Sequence, residues 1–179
     1  MKKIQSIVKG IWQFCSYIFW PRCGSKANIN NSNSWTSQVA EPSGTNMIID
    51  KKILDELTEK AKVSPRLRFN LDLRNSADDQ SQRMLNALEP GTVMPMHRHK
   101  GSSETCVCVR GHFEEYFYDE KGNLTDTIDM VPGGMVLNIE KGQWHSLKCL
   151  ESGTILLEAK DGAYRPLDED EIMNINFDK

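Results

Sequence analysis

The sequence predicts an all-β domain, an antiparallel sandwich or barrel, with one helix before it. Two observations predict it. The hydrophobic period changes from helical to two at Pro65. From Pro90-Gly91 to residue 160 short strands alternate with turn residues, at Glu120-Lys121-Gly122-Asn123, Pro132-Gly133-Gly134, Lys141-Gly142 and Glu151-Ser152-Gly153. Many short strands at this spacing suggest a sandwich or barrel.

The chain before this domain has its own composition. In residues 4–20 the apolar positions Ile4, Ile7, Val8, Ile11, Trp12, Cys15, Ile18 and Phe19 follow a helical period, with Lys2, Ser6, Lys9, Gln13 and Ser16 opposite. Pro21 ends the stretch, which is too short and too interrupted to span a membrane. Three readings stand: an amphipathic helix on a membrane surface, a secretory signal peptide, or an extension dispensable to the fold. Lys9 interrupts the core that a signal peptide needs, and no small-residue cleavage site follows. Residues 25–46 are rich in Ser and Asn and read as a linker. The expected organisation is a basic amphipathic segment and linker at 1–46, a folded domain at 47–165 and a C-terminal tail at 166–179. Met47 is an alternative start.

Charge divides along the same line. Residues 1–46 hold five bases and one acid, and the remainder seventeen bases and twenty-four acids. The acidic folded part argues against nucleic acid as a partner. The five cysteines form no disulfide framework and no zinc-knuckle spacing, so reduced thiols in a reducing compartment are expected. The expected location is the cytoplasm, with membrane association through residues 1–20 as an additional expectation.

Asp50 reads as an N-cap, and Ile53, Leu54, Leu57 and Ala61 form a helical stripe that ends before Pro65. Leu67, Phe69, Leu71 and Leu73 then alternate with Arg68, Asn70, Asp72 and Arg74, as in a half-buried strand. Residues 82–88 read as a second strand, ended by Pro90-Gly91.

His97-Arg98-His99 carries the first chemical signal, because residues two apart on a strand point to one face. Glu104 follows a Lys-Gly-Ser-Ser turn and can return a carboxylate from the next strand. His145, after the Lys141-Gly142 turn, can supply a third imidazole. Three nitrogens and one carboxylate oxygen suit a first-row divalent ion.

Here the sequence resembles the cupin superfamily. Gly91, His97, His99, Glu104 and Gly111 match its first motif without departure. Gly134, Gly142 and His145 match the second, in which Glu140 stands for the usual Pro and Cys149 for the usual Asn. Within cupins, the run from Pro65 to Gly91, then HRHKGSSET, GQWHSL and ILLEAKDGAY, resembles the bacterial WbuC family over roughly residues 48–165. The resemblance implies a single cupin barrel (a double-stranded β-helix or jelly roll) with an N-terminal helix. It also implies a metal held by His97, His99, Glu104 and His145, and a link to surface polysaccharide synthesis. The ion is expected to be zinc, iron, manganese or nickel, with open positions for water or substrate.

Counting by two, Cys106, Cys108, Leu147 and Cys149 face inward, the cysteines as small buried hydrophobes. His112 is out of phase with Glu104 and is read as a non-ligand. Trp144 points away from the ligand face and is read as packing. Arg66, Arg68, Arg83 and Asn86 are either a solvated or salt-bridged face or the binding group for an anionic or sugar-derived small molecule. The first functional expectation is a metal-dependent enzyme on a small carbohydrate-derived substrate, by isomerisation, epimerisation, lyase chemistry or oxygenation. The alternative is a non-catalytic binding or sensor module with a ligand-gripping or structural metal. Tyr116, Tyr118, Cys106 and Cys149 are the candidate proton carriers beside a metal-bound water. A homodimer is expected, with the strand at 66–74 as a pairing edge.

Overall fold

The computed structural model describes residues 46–173 and the backbone of residues 38–39. The expected amphipathic segment and most of the linker lie outside the described residues, as do Cys15 and Cys23.

Among the described residues one α-helix, α1 (Lys51–Val63), precedes the barrel strands. Asp50 caps it, its Oδ1 accepting the Ile53 amide at 3.1 Å, one of the first-turn amides that no helical carbonyl reaches. Straight-chain Leu, Lys and Glu fill most of it, which lose little rotamer freedom in a helix. It stops at Ser64, which is extended because Pro65 follows.

The strands are β1 (Gln38–Val39), β2 (Arg68–Asp72), β3 (Ser81–Leu88), β4 (Met96–His97), β5 (Glu104–Arg110), β6 (Phe113–Tyr118), β7 (Leu124–Met130), β8 (Leu137–Ile139), β9 (Trp144–Cys149), β10 (Thr154–Asp161) and β11 (Ile172–Met173). They build two sheets, ordered β1-β2-β3-β10-β5-β8 and β11-β4-β9-β6-β7. Pairing is antiparallel except between β1 and β2. From β3 onward the chain passes repeatedly between the sheets, so that strands close in sequence face each other across the interior. That is the double-sheet jelly roll which the cupin resemblance implies. The structure is all-β with one N-terminal helix, as expected.

The first sheet buries apolar side chains on both faces. Leu71, Leu85, Ala87 and Ile155 meet Leu57 and Ala61 of α1 on one side. Leu88, Cys106, Cys108 and Leu156 meet Phe113, Met130 and Cys149 of the second sheet on the other. Each Leu or Ile buried in this way contributes about 2 kcal/mol. Arg110 joins helix to barrel, bonding Asp55 at 2.7 Å, the Leu54 carbonyl at 2.9 Å and the Gly153 carbonyl at 3.0 Å. Gly111 follows at φ +80°, and a Cβ there would lie 2.7 Å from the Thr154 Cα, so the motif glycine is fixed by backbone contact.

The strand at 66–74 differs from its expected form. Leu67 is left-handed, at φ 54°, and β2 begins only at Arg68. The turn uses both backbone groups of Leu67, with Ser64 O at 2.9 Å and the Glu89 amide at 2.9 Å. The expected polar face is not solvated at its far end: Asp72 is 1% exposed and Arg74 3%. Because α1 covers the leucine side of β2, the other side turns to the inner face of the sheet, and Arg74 forks onto Asp72 at 2.9–3.1 Å.

Two outlying segments join the sheets. Gln38 and Val39, inside the stretch read as a linker, pair with Leu71 and Asp72. Within 166–179, a 3-10 turn (Glu169–Glu171) leads into β11, which pairs with Met96 and His97. Among the described residues no helix is long and apolar enough to cross a membrane. Cys106, Cys108 and Cys149 are free and buried.

Candidate metal centre

The strand register brings the two histidine motifs together. His97 of β4 lies directly opposite His145 of β9 in the second sheet. His99, just past β4, is fixed by its carbonyl, which accepts the Gly142 amide of the turn before His145 at 2.9 Å. Glu104 enters from β5 of the facing sheet. The ring centroids are 4.3 Å apart for His97 and His145, 5.0 Å for His97 and His99, and 5.7 Å for His99 and His145. One nitrogen from each of the three rings lies within 4.8 Å of the others. Glu104 Oε2 is 3.3 Å from His99 Nε2 and 3.7 Å from His145 Nε2.

The hydrogen atoms decide what this cluster can hold. His97 Nδ1 is 3.0 Å from the Pro95 carbonyl, and His145 Nδ1 is 2.9 Å from the Gln143 carbonyl. A carbonyl only accepts, so both Nδ1 atoms donate, and both Nε2 atoms present bare lone pairs to the interior. His99 Nε2, His145 Nε2 and Glu104 Oε2 are buried without a hydrogen-bond partner. Buried polar atoms that converge without hydrogen-bond partners are costly unless a cation lies among them. The residues therefore fit a divalent ion, with outer carbonyls fixing the tautomers as metal-binding histidines require. Burial holds the His97 imidazole well below the usual histidine range, and the other two rings add to this. Burial alone would raise Glu104, but the Lys160 ammonium opposes it and the carboxyl is held well below the usual range.

Lys160 was not among the residues singled out in sequence. Its Nζ lies 3.4 Å from Glu104 Oε2 and is paired with Glu158 Oε1. Burial opposes its charge, but Glu104 and Glu158 keep it protonated. Asn86 Nδ2 donates to Glu158 Oε2 at 3.0 Å, extending the chain of contacts to β3. Glu115 of β6, 3% exposed, completes the charged group. The missed signal was alternation: Leu156, Glu158 and Lys160 share the inward face of β10, and Phe113, Glu115 and Phe117 that of β6.

The remaining expected residues lie elsewhere. His112 is paired with Asp129, away from the cluster. Trp144 lies under Arg98, 4.4 Å from the ring centre, and both bond Glu120. Arg83 is engaged by Asp79 and the Leu73 and Ser81 carbonyls. Arg66 is exposed, and Arg68 reaches the Val93 carbonyl at 3.4 Å. Asn86 is bonded into the chamber through Glu158. Tyr116 is bonded to Glu114 and pushed up to about 12, and Tyr118 is bonded to Ser146 at 3.0 Å. Burial pushes the Cys106 and Cys149 thiols up, which makes them, like Tyr116, poor acids at neutral pH.

A family model described as a domain of unknown function, DUF6016, matches residues 49–130. No curated protein matches. Among solved structures, KdgF from Halomonas sp. is similar at 18% identity and a TM-score of 0.45, over 60% of this chain and 87% of that one. The Cnp3 cupin domain of Schizosaccharomyces pombe is similar at 14% identity and a TM-score of 0.44, over 53% of this chain and 64% of that one. An oxalate decarboxylase variant from Bacillus subtilis is similar at 23% identity and a TM-score of 0.44, over 60% of this chain. This chain spans 28% of that enzyme's length.

Proposed function

We propose that the protein is a cupin-fold metalloprotein in which His97, His99, Glu104 and His145 hold a divalent ion that acts on a small ligand. The observation that carries this reading is the set of converging buried atoms, His99 Nε2, His145 Nε2 and Glu104 Oε2, none of which has a hydrogen-bond partner. When bound, the ion supplies a Lewis acid that polarises an oxygen ligand in the positions the protein leaves open. The chain's own residues do the positioning. The Pro95 and Gln143 carbonyls orient two rings, and Lys160 steadies the Glu104 carboxylate.

An enzyme is favoured over a purely structural metal because the carboxyls of Glu115 and Glu158 lie beside the centre and are groups able to move protons. The proposed substrate is carbohydrate-derived, linked to surface polysaccharide synthesis, and the support for that is the WbuC-like sequence. Lys160 is engaged by two carboxylates, which favours holding the site's geometry over transferring its own proton, so a binding module is the second reading.

The test begins with metal analysis of the full chain purified without added metal. About one divalent ion per chain is expected, as for a site of four converging ligands. In the cobalt-substituted protein azide should shift the visible spectrum, and a thermal-shift screen should then find a nucleotide-sugar that stabilises it. A spectrum that no small anion moves would indicate a closed structural site and remove the enzyme reading.

A further inference from the structure

The four proposed ligands are not held in the same way. Glu104 stands in register between Ile139 of β8 and Lys160 of β10. His145 stands between His97 and Phe117, and His97 between His145 and Ile172. Each of these three has a strand partner on both sides. His99 has none, because β4 ends at His97. Among the described residues no carbonyl orients its ring, as those of Pro95 and Gln143 orient the other two. The backbone around His99 is fixed instead from the C-terminal segment. The Arg98 amide, on one side, donates to the Glu171 carbonyl at 3.0 Å, and the Lys100 amide, on the other, donates to Glu171 Oε1 at 2.8 Å. The Lys100 side chain is also paired with Asp170.

The grip is itself fixed. Glu171 is fully buried. Arg165 forks onto both of its oxygens, at 2.5 and 2.6 Å, and the Asp168 amide donates to Oε2 at 3.0 Å. A carboxylate whose two oxygens meet set donors has one orientation, and it passes that orientation to the Lys100 amide.

We propose that Glu171 is a positioning residue of the metal centre: it holds His99 in place for the ion, so that the ion and residues 165–173 stabilise each other. This rests on the metal reading above. The ion favours the arrangement in which His99 meets His97, His145 and Glu104, and Glu171 favours the same arrangement through the backbone, so the coupling runs both ways. Without its side chain the Lys100 amide is released and His99 is free to shift, while the other three ligands keep their neighbouring strands.

The test is cobalt affinity, read by competition with a chromophoric chelator, in the full-length wild type, Glu171→Ala, His99→Ala and the double variant. Glu171→Ala should weaken binding on the order of tenfold when His99 is present. In the His99→Ala background, where no ring is left to position, it should change binding by less than about twofold. An equal loss in both backgrounds means a general loosening of the fold and overturns the positioning role, as does no loss in either. A second measurement needs no variant. In wild type, cobalt should slow hydrogen exchange of residues 165–173 more than that of α1, which packs on the far face of the first sheet. Equal slowing of the two, or none, overturns the coupling and the proposal with it. A wild type that binds no cobalt fails the metal reading itself, whereas cobalt binding with either negative result removes the positioning role alone.

Discussion

Two histidines of opposite placement test the metal centre at the residue scale. His99 turns Nε2 toward Glu104 Oε2 at 3.3 Å, inside the cluster. His112 is only part-buried and is already paired with Asp129. His99→Ala should therefore lower metal affinity by at least about 100-fold, since even losing an outer partner of a ligand costs 10–100-fold. His112→Ala should keep the metal, as read by competition with a chromophoric chelator. The reverse result would mean that the inward register assigned to β4 is wrong. The four proposed ligands were legible because metal chemistry restricts residue type and spacing together. Glu115, Glu158 and Lys160 were not, because a charged residue on a strand is most often solvated. Only its parity with buried neighbours such as Leu156 and Phe113 places it inside.

At the element scale, the metal-bearing strand β4 is two residues long and leans on the C-terminal segment. Glu171 is fully buried beside it. Its carbonyl accepts the Arg98 amide at 3.0 Å, and its Oε1 accepts the Lys100 amide at 2.8 Å. Arg165 forks onto the carboxylate, which the arginine's bonds and charge and the Asp168 and Lys100 amides bring down to about 2 from 4.5. The folded value lies below the unfolded one, so this stabilisation is complete above pH 4.5 and is lost as pH falls toward about 2. With Arg165 half-exposed and screened by water, it is worth about 2 kcal/mol. Glu171→Gln should melt roughly 5–10 °C below wild type near neutral pH. The gap should close as pH approaches 2, and a constant gap across that range would refute the ionic origin. The sequence showed the Asp50 cap and the turns because caps and turns are local. It did not show this strap, or the buried Asp72–Arg74 pair, because both depend on which element covers which face.

For the whole molecule, the proposal is a self-sufficient domain beginning near Met47 that pairs with a second copy of itself. Every buried side chain among the described residues lies between Leu57 and Glu171. Upstream of Met47 the described structure adds only β1, which covers the edge of β2 at Leu71 and Asp72. A chain beginning at Met47 should therefore keep the melting temperature and metal content of the full chain, and loss of either would make residues 1–46 part of the fold. Removing β1 also bares the backbone edge of β2, a short strand whose unpaired amides and carbonyls can template another strand. Light scattering at micromolar concentration separates the possibilities. A dimer in both chains supports pairing that does not need the β2 edge to be bare. A dimer only in the shortened chain would mean that β1 blocks the edge and that the full chain associates, if at all, elsewhere. A monomer in both would refute the association. Vesicle flotation applies the same comparison to residues 1–20. If these residues form a membrane-surface helix, the full chain floats with anionic vesicles and the shortened chain does not, because its charge is carried by the acidic domain alone.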